Sequence, residues 1–397
     1  MIKNHFIAFF IAFLAVFCYY LFEYIDINNY YIVNNISWRN NVQGVQTIEK
    51  TKRSEYTVSD AVKFILCAIL LSVAVSLVYS IVLVSVSARM GISVDVLQKY
   101  KAVSIISCLI YPVCFFVMFL IFNATRKVKG SSAVNLNGKF TLLPFSVVIM
   151  MALICILLIS PIINMIFFGF EKLGYVVDDS LPIAINSPVD LVVSILILAL
   201  VPAIVEELVY RGVILNGFLS KMKPYSAVVL SALIFAVMHG SLQQFLYQFI
   251  LGMCLGLIML YSENIWFPML LHFLNNALVI ILSTFNPIMY LNTENVYYDN
   301  FFQILFPILM FILGVGLIAV LLFMMHYFAG LLKHYPKAIA EKSYNVVNEK
   351  GNIIQKEKTN IFGIIKTMSA NEKVIYITSI ALMLIIWIAN TISGFVG

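Results

Sequence analysis

Charged residues are scarce in this chain. Only 11% of its 397 residues are Asp, Glu, Lys or Arg, whereas 62% are hydrophobic, and the mean hydropathy is +0.98. A soluble domain has about a quarter charged residues and about half apolar residues. The composition therefore excludes an ordinary soluble protein and predicts a polytopic membrane protein.

Several common motifs are also missing from the sequence. The six cysteines lie in apolar runs without CxxC spacing, so neither a disulfide framework nor a cysteine metal site is indicated. There is no glycine-rich phosphate loop, no nucleic-acid motif and no obvious internal repeat. The net charge of +6 requires no nucleic-acid partner, because basic residues are expected in cytoplasmic loops.

Long apolar runs predict an all-α fold, namely a polytopic transmembrane helical bundle of about 8–10 spans. A bilayer requires roughly 20 apolar residues per helix. By this measure the candidate spans are 5–22, 61–86, 102–122, 141–169, 188–206, 225–239, 242–261, 265–285, 303–326 and 373–394. We expect the first to be a retained anchor, since bulky residues stand where a signal peptide has small ones.

The spans and loops divide the chain into five predicted parts. These are N-terminal transmembrane helices with a polar loop at 23–60 (1–187), a helical core (188–285), a further transmembrane helix (286–326), a basic cytosolic linker (327–372) and a C-terminal transmembrane helix (373–397). Lys and Arg cluster in 123–140 and 327–372, and Lys221 and Lys223 close the fifth span. Basic loops favour the cytosolic side, which sets the predicted orientation.

Three charged residues interrupt the predicted fifth span. Glu206, Glu207 and Arg211 follow fifteen residues, 191–205, that carry no charge. Each charge costs about 2.5–3.5 kcal/mol within a bilayer, so such residues need partners and a use. Glu207 and Arg211 are four residues apart and share a helix face, so we expect them to pair. Glu206 projects about 100° away and is left to contact something else.

Further polar residues are predicted at the same depth. A hairpin turning at 222–224 places the glutamates level with His239, and His272 is expected roughly 10 Å below the cytosolic surface. Asn276 lies four residues after His272 and shares its face. We therefore expect one membrane-embedded cavity lined by glutamate, two histidines and asparagine. Each pair alone could be structural, since polar side chains also join transmembrane helices.

This set of side chains suits hydrolysis of an amide by water. A carboxylate in a desolvated site can act as general base, and a histidine can position the same water. A second histidine and an asparagine amide can donate hydrogen bonds to the oxyanion of the tetrahedral intermediate. Two histidines and one glutamate from separate helices could instead hold zinc.

The motifs resemble those of a known family. Glu206-Glu207-xxx-Arg211, Phe235-xxx-His239 and His272-xxx-Asn276 match, in order, the EExxxR, FxxxH and HxxxN motifs of the CAAX protease and bacteriocin-processing (CPBP, or Abi) intramembrane proteases. The resemblance covers about residues 190–280. Each motif alone is short, but all three in order on predicted spans are specific.

The resemblance implies an all-helical membrane core whose cavity opens to the cytosol. It implies that Glu206 is the base, that His239 orients the water, and that His272 and Asn276 are oxyanion donors. It also implies that Glu207 and Arg211 support the geometry of the site. The HExxH signature of zinc peptidases is absent, so we expect no cofactor, with zinc as the open alternative.

The predicted function is that of an intramembrane endopeptidase of the CAAX protease class, acting on a membrane-associated peptide or protein. We expect an integral protein of a bacterial plasma membrane, in contact with lipid and without a nucleic-acid partner. A non-catalytic scaffold or immunity protein on the same fold is the alternative. A transporter is disfavoured, because transporters often show related halves and none is visible here.

Overall fold

The computed structural model describes residues 55–126, 128, 134–136, 138, 140–176, 181–285, 300–331, 336–347 and 353–396. Within these ranges the helices are α1 (Val58–Met90), α2 (Val94–Gln98), α3 (Lys101–Arg126), α4 (Leu142–Lys172), α5 (Pro188–Leu219), α6 (Pro224–Met238), α7 (Leu242–Ser262), α8 (Trp266–Phe285), α9 (Asn300–Leu331), α10 (Lys337–Ala340), α11 (Ile364–Thr367) and α12 (Ala370–Val396). Two short strands, β1 (Ser343–Val347) and β2 (Ile353–Glu357), form an antiparallel hairpin.

The prediction of an all-α polytopic membrane bundle is confirmed. Eight of the described helices are long and apolar enough to cross a membrane: α1, α3, α4, α5, α7, α8, α9 and α12. The predicted span at 225–239 corresponds to the shorter α6, and the predicted span at 5–22 lies outside the described residues. The predicted polar loop at 23–60 is also mostly outside them, and α1 already begins at Val58.

Helix α6 ends where the sequence places a histidine and a glycine. Its 15 residues extend about 22 Å, which is less than the hydrocarbon thickness of about 30 Å. Gly240 has a φ of +66°, a conformation that glycine adopts without strain, and it reverses the chain after His239. Ser241 then caps α7 by accepting a hydrogen bond from Gln244 N. His239 is therefore held in a tight turn between two helices.

The segment 327–372, predicted as a basic linker, contains ordered structure that the sequence analysis did not anticipate. Helix α9 continues to Leu331, and the β1–β2 hairpin follows α10. Beyond the hairpin, Thr359 binds the turn between α5 and α6: its carbonyl accepts from Lys223 N at 2.7 Å and its N–H donates to Lys221 O at 3.0 Å. The side chain of Lys358 is buried here, and this burial lowers its pKa. The segment is thus attached to the turn that precedes α6.

Helix α5 packs closely against the start of α1 at Gly217. A Cβ atom added there would lie 2.7 Å from both Ala61 Cβ and Thr57 O. Backbone and methyl groups cannot move away as the end of a flexible side chain can, so this contact requires glycine. The approach fixes the end of α5, the helix that carries the charged residues.

We predict that Gly217→Ala destabilises the protein by about 1–3 kcal/mol, the usual effect of overpacking. The measurement is the thermal midpoint of the purified protein in detergent. Gly316→Ala in α9 is the matched control, because no atom lies within 4 Å of a Cβ added there, and alanine is the better helix former. Equal midpoints for the two variants would show that α1 and α5 do not require this close approach.

Candidate active site

The glutamates lie on an α-helical stretch of α5 between two wider, π-helical stretches. The α-helical part is Val201–Glu207, and the π-helical parts are Ile195–Leu200 and Leu208–Leu215. Such π-helical turns are rare and occur often at functional sites. Pro202 at the start of the α-helical part has no N–H to bond the carbonyl four residues before it. The sequence thus interrupts the regular hydrogen bonding of α5 beside its charged residues.

The ion pair expected from the sequence spacing is present and fully buried. Arg211 Nη1 donates to Glu207 Oε1 at 2.8 Å, and the two side chains are 1% and 0% exposed. Arg211 Nη2 also donates to the carbonyl of Gly252 in α7 at 3.1 Å. The guanidinium lies 4.6 Å from the centre of the Phe235 ring in α6. One arginine therefore joins α5, α6 and α7.

Glu207 has a second partner that the sequence analysis missed. Nδ1 of His272 in α8 lies 2.9 Å from Glu207 Oε1. An ionised carboxylate can only accept hydrogen bonds, so Nδ1 carries the proton in this contact. The role predicted for Glu207, support through Arg211, thus extends to orienting His272. Local spacing could not reveal this contact, because the two residues are 65 positions apart.

His239 is oriented in a similar way by a backbone carbonyl. Its Nδ1 lies 2.8 Å from Phe235 O, and a carbonyl can only accept, so Nδ1 is again the protonated nitrogen. The Phe235 ring packs edge to face against both imidazoles, at 4.6 Å from His239 and 5.9 Å from His272. Phe235, the first residue of the FxxxH motif, thus contacts both histidines.

Both histidines turn their remaining nitrogen towards Glu206. Oε2 of Glu206 lies 3.9 Å from His239 Nε2 and 4.0 Å from His272 Nε2. This oxygen is buried and has no hydrogen-bond partner among the described residues. The structure therefore brings together Glu206, His239 and His272, as the sequence predicts. The distance from Glu206 Oε2 to either Nε2 atom is too long for a direct hydrogen bond and leaves room for one bridging group.

Asn276 lies in the next turn of α8 but is not in direct contact with these atoms. Its Nδ2 donates to Leu198 O at 3.5 Å, and Leu198 is the residue whose carbonyl Pro202 leaves without its usual N–H. Among the described residues, no hydrogen bond joins Asn276 to Glu206, His239 or His272. The 3.5 Å contact is long for a hydrogen bond, so it is a weak restraint on the amide.

Two residues behind Asn276 were not anticipated from the sequence. Asn275 Nδ2 donates to Asn276 Oδ1 at 3.4 Å, and Tyr247 in α7 donates to Asn275 Oδ1 at 2.5 Å. These hydrogen bonds occupy the side-chain oxygen of Asn276. Its NH₂ group makes the contact with Leu198 O instead. One feature of the sequence could have indicated this network: the first half of α7 contains more polar residues than is usual for a membrane helix.

The nitrogen and oxygen atoms of the site lie farther apart than the ligands of a bound tetrahedral zinc ion. Zinc bonds of about 2.0–2.1 Å place neighbouring ligand atoms about 3.3 Å apart, whereas the separations here are 3.9 and 4.0 Å. Glu207 is already engaged with Arg211 and His272. Within the described part of the chain, no group of three or more His, Cys, Asp or Glu residues has metal-binding geometry.

An apolar cavity of about 60 Å³ lies beside the turn that holds His239. Its lining comes from α1, from α12 and from both sides of His239 in the sequence: Ile69, Ser72, Val237, Met238, Gly240, Met383 and Ile386. None of the four predicted catalytic residues lines this cavity, so it adjoins the site rather than containing it.

Comparison with known proteins identifies the same segment. Residues 188–278 match the family model described as "Type II CAAX prenyl endopeptidase Rce1-like". The chain is also 26% identical over 89 residues to a Bacillus subtilis (strain 168) protein described as "Putative membrane peptidase YdiL", which is 22% of this chain and 36% of that relative. The match thus spans about a third of the relative's length, and no solved structure matches the chain. Over residues 188–278 the resemblance seen in the motifs is confirmed: this part of the chain is similar to the CPBP family of CAAX-protease-like membrane proteins.

Proposed function

We propose that this protein is an intramembrane endopeptidase in which Glu206 activates the attacking water. The observation that carries the proposal is the position of Glu206 Oε2, which faces His239 Nε2 and His272 Nε2 at 3.9 and 4.0 Å. The match to a family of endopeptidases and the similarity to a protein described as a membrane peptidase support the same reaction class.

The separations suit one water molecule. A water about 2.8 Å from Glu206 Oε2 can also hydrogen-bond an imidazole nitrogen that lies 3.9–4.0 Å from that oxygen. Since His239 keeps its proton on Nδ1, its Nε2 accepts one O–H of the water while Glu206 accepts the other. Both protons are then held, and the lone pair of the water oxygen is free to attack the substrate carbonyl.

The proton balance of the reaction is carried by Glu206. As the water oxygen bonds to the carbonyl carbon, its proton moves to the Glu206 carboxylate. The protonated Glu206 then gives this proton to the amide nitrogen, and the carbon–nitrogen bond breaks. The products are a carboxylic acid and an amine, and Glu206 is ready for another water.

His272 and Asn276 are proposed to stabilise the oxyanion. With Nδ1 donating to Glu207, His272 Nε2 can donate to the oxyanion only when the ring is doubly protonated. Asn276 is only weakly restrained by its 3.5 Å contact with Leu198 O, so its NH₂ group can turn towards a developing charge. Removing one such donor costs about 10²–10³-fold in rate in other hydrolases.

The proposed substrate is a peptide or small protein within or against the membrane. Bringing a charged, hydrated peptide into the bilayer costs free energy, whereas an apolar segment can enter the site from the lipid. We propose that the site lies in a bacterial plasma membrane, opens towards the cytosol and works without a metal. The attachment of the basic segment 327–372 to the α5–α6 turn is consistent with that orientation.

We predict that Glu206→Gln lowers cleavage about 10³-fold while leaving protein level intact. The substitution preserves shape but removes the base, and general-base contributions are about 10²–10⁴-fold. Comparative peptidomics of membranes that contain either protein measures the effect. Unchanged peptides together with full biological activity in the Glu206→Gln strain would favour the non-catalytic scaffold.

We predict that Glu207→Gln, unlike Glu206→Gln, also destabilises the fold. Loss of the carboxylate leaves the buried Arg211 charge without its partner, which costs about 3–5 kcal/mol in comparable cases. The two isosteric variants are matched controls for each other, and their thermal midpoints in detergent give the comparison. Identical midpoints would contradict the supporting role, and a double change of Glu207→Leu with Arg211→Met should recover part of the loss.

We predict that a chelator does not reduce the activity. The purified protein is dialysed against a zinc chelator and assayed in proteoliposomes before and after zinc is added back. Retained activity agrees with a water activated by Glu206 alone. Activity that is lost on chelation and restored by zinc would refute the metal-free mechanism.

A further inference from the structure

Gln248 in α7 has a buried acceptor that no described residue satisfies. Its Oε1 is buried without a hydrogen-bond partner in the described part of the chain. A buried amide oxygen left without a donor costs about 1–3 kcal/mol. A glutamine in an apolar helix therefore needs a compensating interaction in the working protein, as Glu206 Oε2 does.

The packing of α6 against α7 indicates which way Gln248 faces. A Cβ at Gly256 would meet Val228, and one at Gly252 would meet Ala232. The two helices are antiparallel, so one turn further along the same face of α7 brings Gln248 opposite Ala236. Side chains tilt towards the start of their helix, which directs Gln248 from Ala236 towards the level of His239.

The same face of α7 is joined to Glu207 through Arg211. Gly252, one turn from Gln248, accepts the hydrogen bond of Arg211, which in turn holds Glu207. At Gly252 an added Cβ would also lie 3.2 Å from the ring of Phe235, the residue between the two histidines. Gln248 thus continues the face of α7 that forms one wall of the site.

Beside Arg211 Nε, a donor, the buried side-chain atoms of the site that lack a partner among the described residues are acceptors, Glu207 Oε2 among them. Glu206 Oε2 and Gln248 Oε1 are both buried without donors among the described residues. Water supplies the donor for Glu206 in the proposed reaction. A peptide supplies a further donor, because each residue next to the scissile carbonyl carries a backbone N–H.

We propose that Gln248 is a substrate-binding residue whose Oε1 accepts a backbone N–H beside the scissile bond. The proposal rests on the endopeptidase function and adds to it a recognition of main chain rather than of a particular side chain. Such a contact places the carbonyl against the water held by Glu206 without limiting the residue types that the site accepts.

The test is a double-mutant cycle in which enzyme variants are combined with modified substrates. The probe is an internally quenched decapeptide, chosen as the member of a randomised pool that the wild-type protein in proteoliposomes cleaves fastest. It is made again with a single N-methyl group at each backbone nitrogen near the cleaved bond. Gln248→Met removes the acceptor at similar volume, and Gln244→Met, one turn away at an exposed position, is the matched control.

We expect Gln248→Met to lower kcat/KM for the unmethylated probe about tenfold, the effect of one buried hydrogen bond. One N-methyl position should lower the wild-type value by the same factor and leave the Gln248→Met value unchanged. Gln244→Met should respond to methylation as the wild type does. A merely structural Gln248 would lower activity equally on all probes, so a Gln248→Met protein that remains sensitive to every N-methyl group overturns the proposal.

The outcomes for the two proposals are distinct. If Glu206→Gln cleaves the probe as fast as the wild type, the proposed function fails. If Glu206→Gln is inactive but Gln248→Met matches the wild type throughout the methylated series, only the role of Gln248 fails. Thermal midpoints of all variants show whether a loss of activity reflects a loss of fold.

Discussion

The buried contact between Arg211, Glu207 and His272 is the interaction on which the site depends. Arg211 and His272 both donate to Glu207 Oε1, and Arg211 also binds Gly252 O and lies over Phe235. These contacts join α5, α6, α7 and α8 at one depth. Because an unpaired charge is so costly in a membrane, the four helices cannot separate or slide here without losing the partner of at least one ionised group.

This arrangement gives two adjacent glutamates different surroundings. Glu207 is fully buried and its Oε1 accepts from two donors, so its charge is balanced by Arg211 and it orients a ring. Glu206 has a side chain 23% exposed and no hydrogen bond to its Oε2 among the described residues. The neighbouring positions diverge by about 100° on the helix, and that divergence is the physical basis for proposing a supporting role for Glu207 and a catalytic role for Glu206.

Local geometry made part of the site predictable from sequence. The four-residue spacing of Glu207 and Arg211, and the level of His239 across the α5–α6 hairpin, follow from helical periodicity. The contact of His272 with Glu207 and that of Asn276 with Leu198 O depend on how α8 packs against α5, which no local pattern encodes. The hairpin at 343–357 was missed because its strands are short and largely exposed, so hydrophobic alternation gives little signal.

The distribution of donors and acceptors accounts for the character of the site. Phe235 O and Glu207 hold the Nδ1 protons of the two histidines, so both rings present Nε2 as an acceptor in their neutral form. Glu206 Oε2 and Gln248 Oε1 add two buried acceptors, while Arg211 Nε is a buried donor that also lacks a partner among the described residues. Water and peptide N–H groups can donate to these acceptors, whereas lipid chains cannot. In the proposed reaction these acceptors bind water and the backbone of a membrane-associated peptide, and Asn276 together with doubly protonated His272 stabilises the oxyanion.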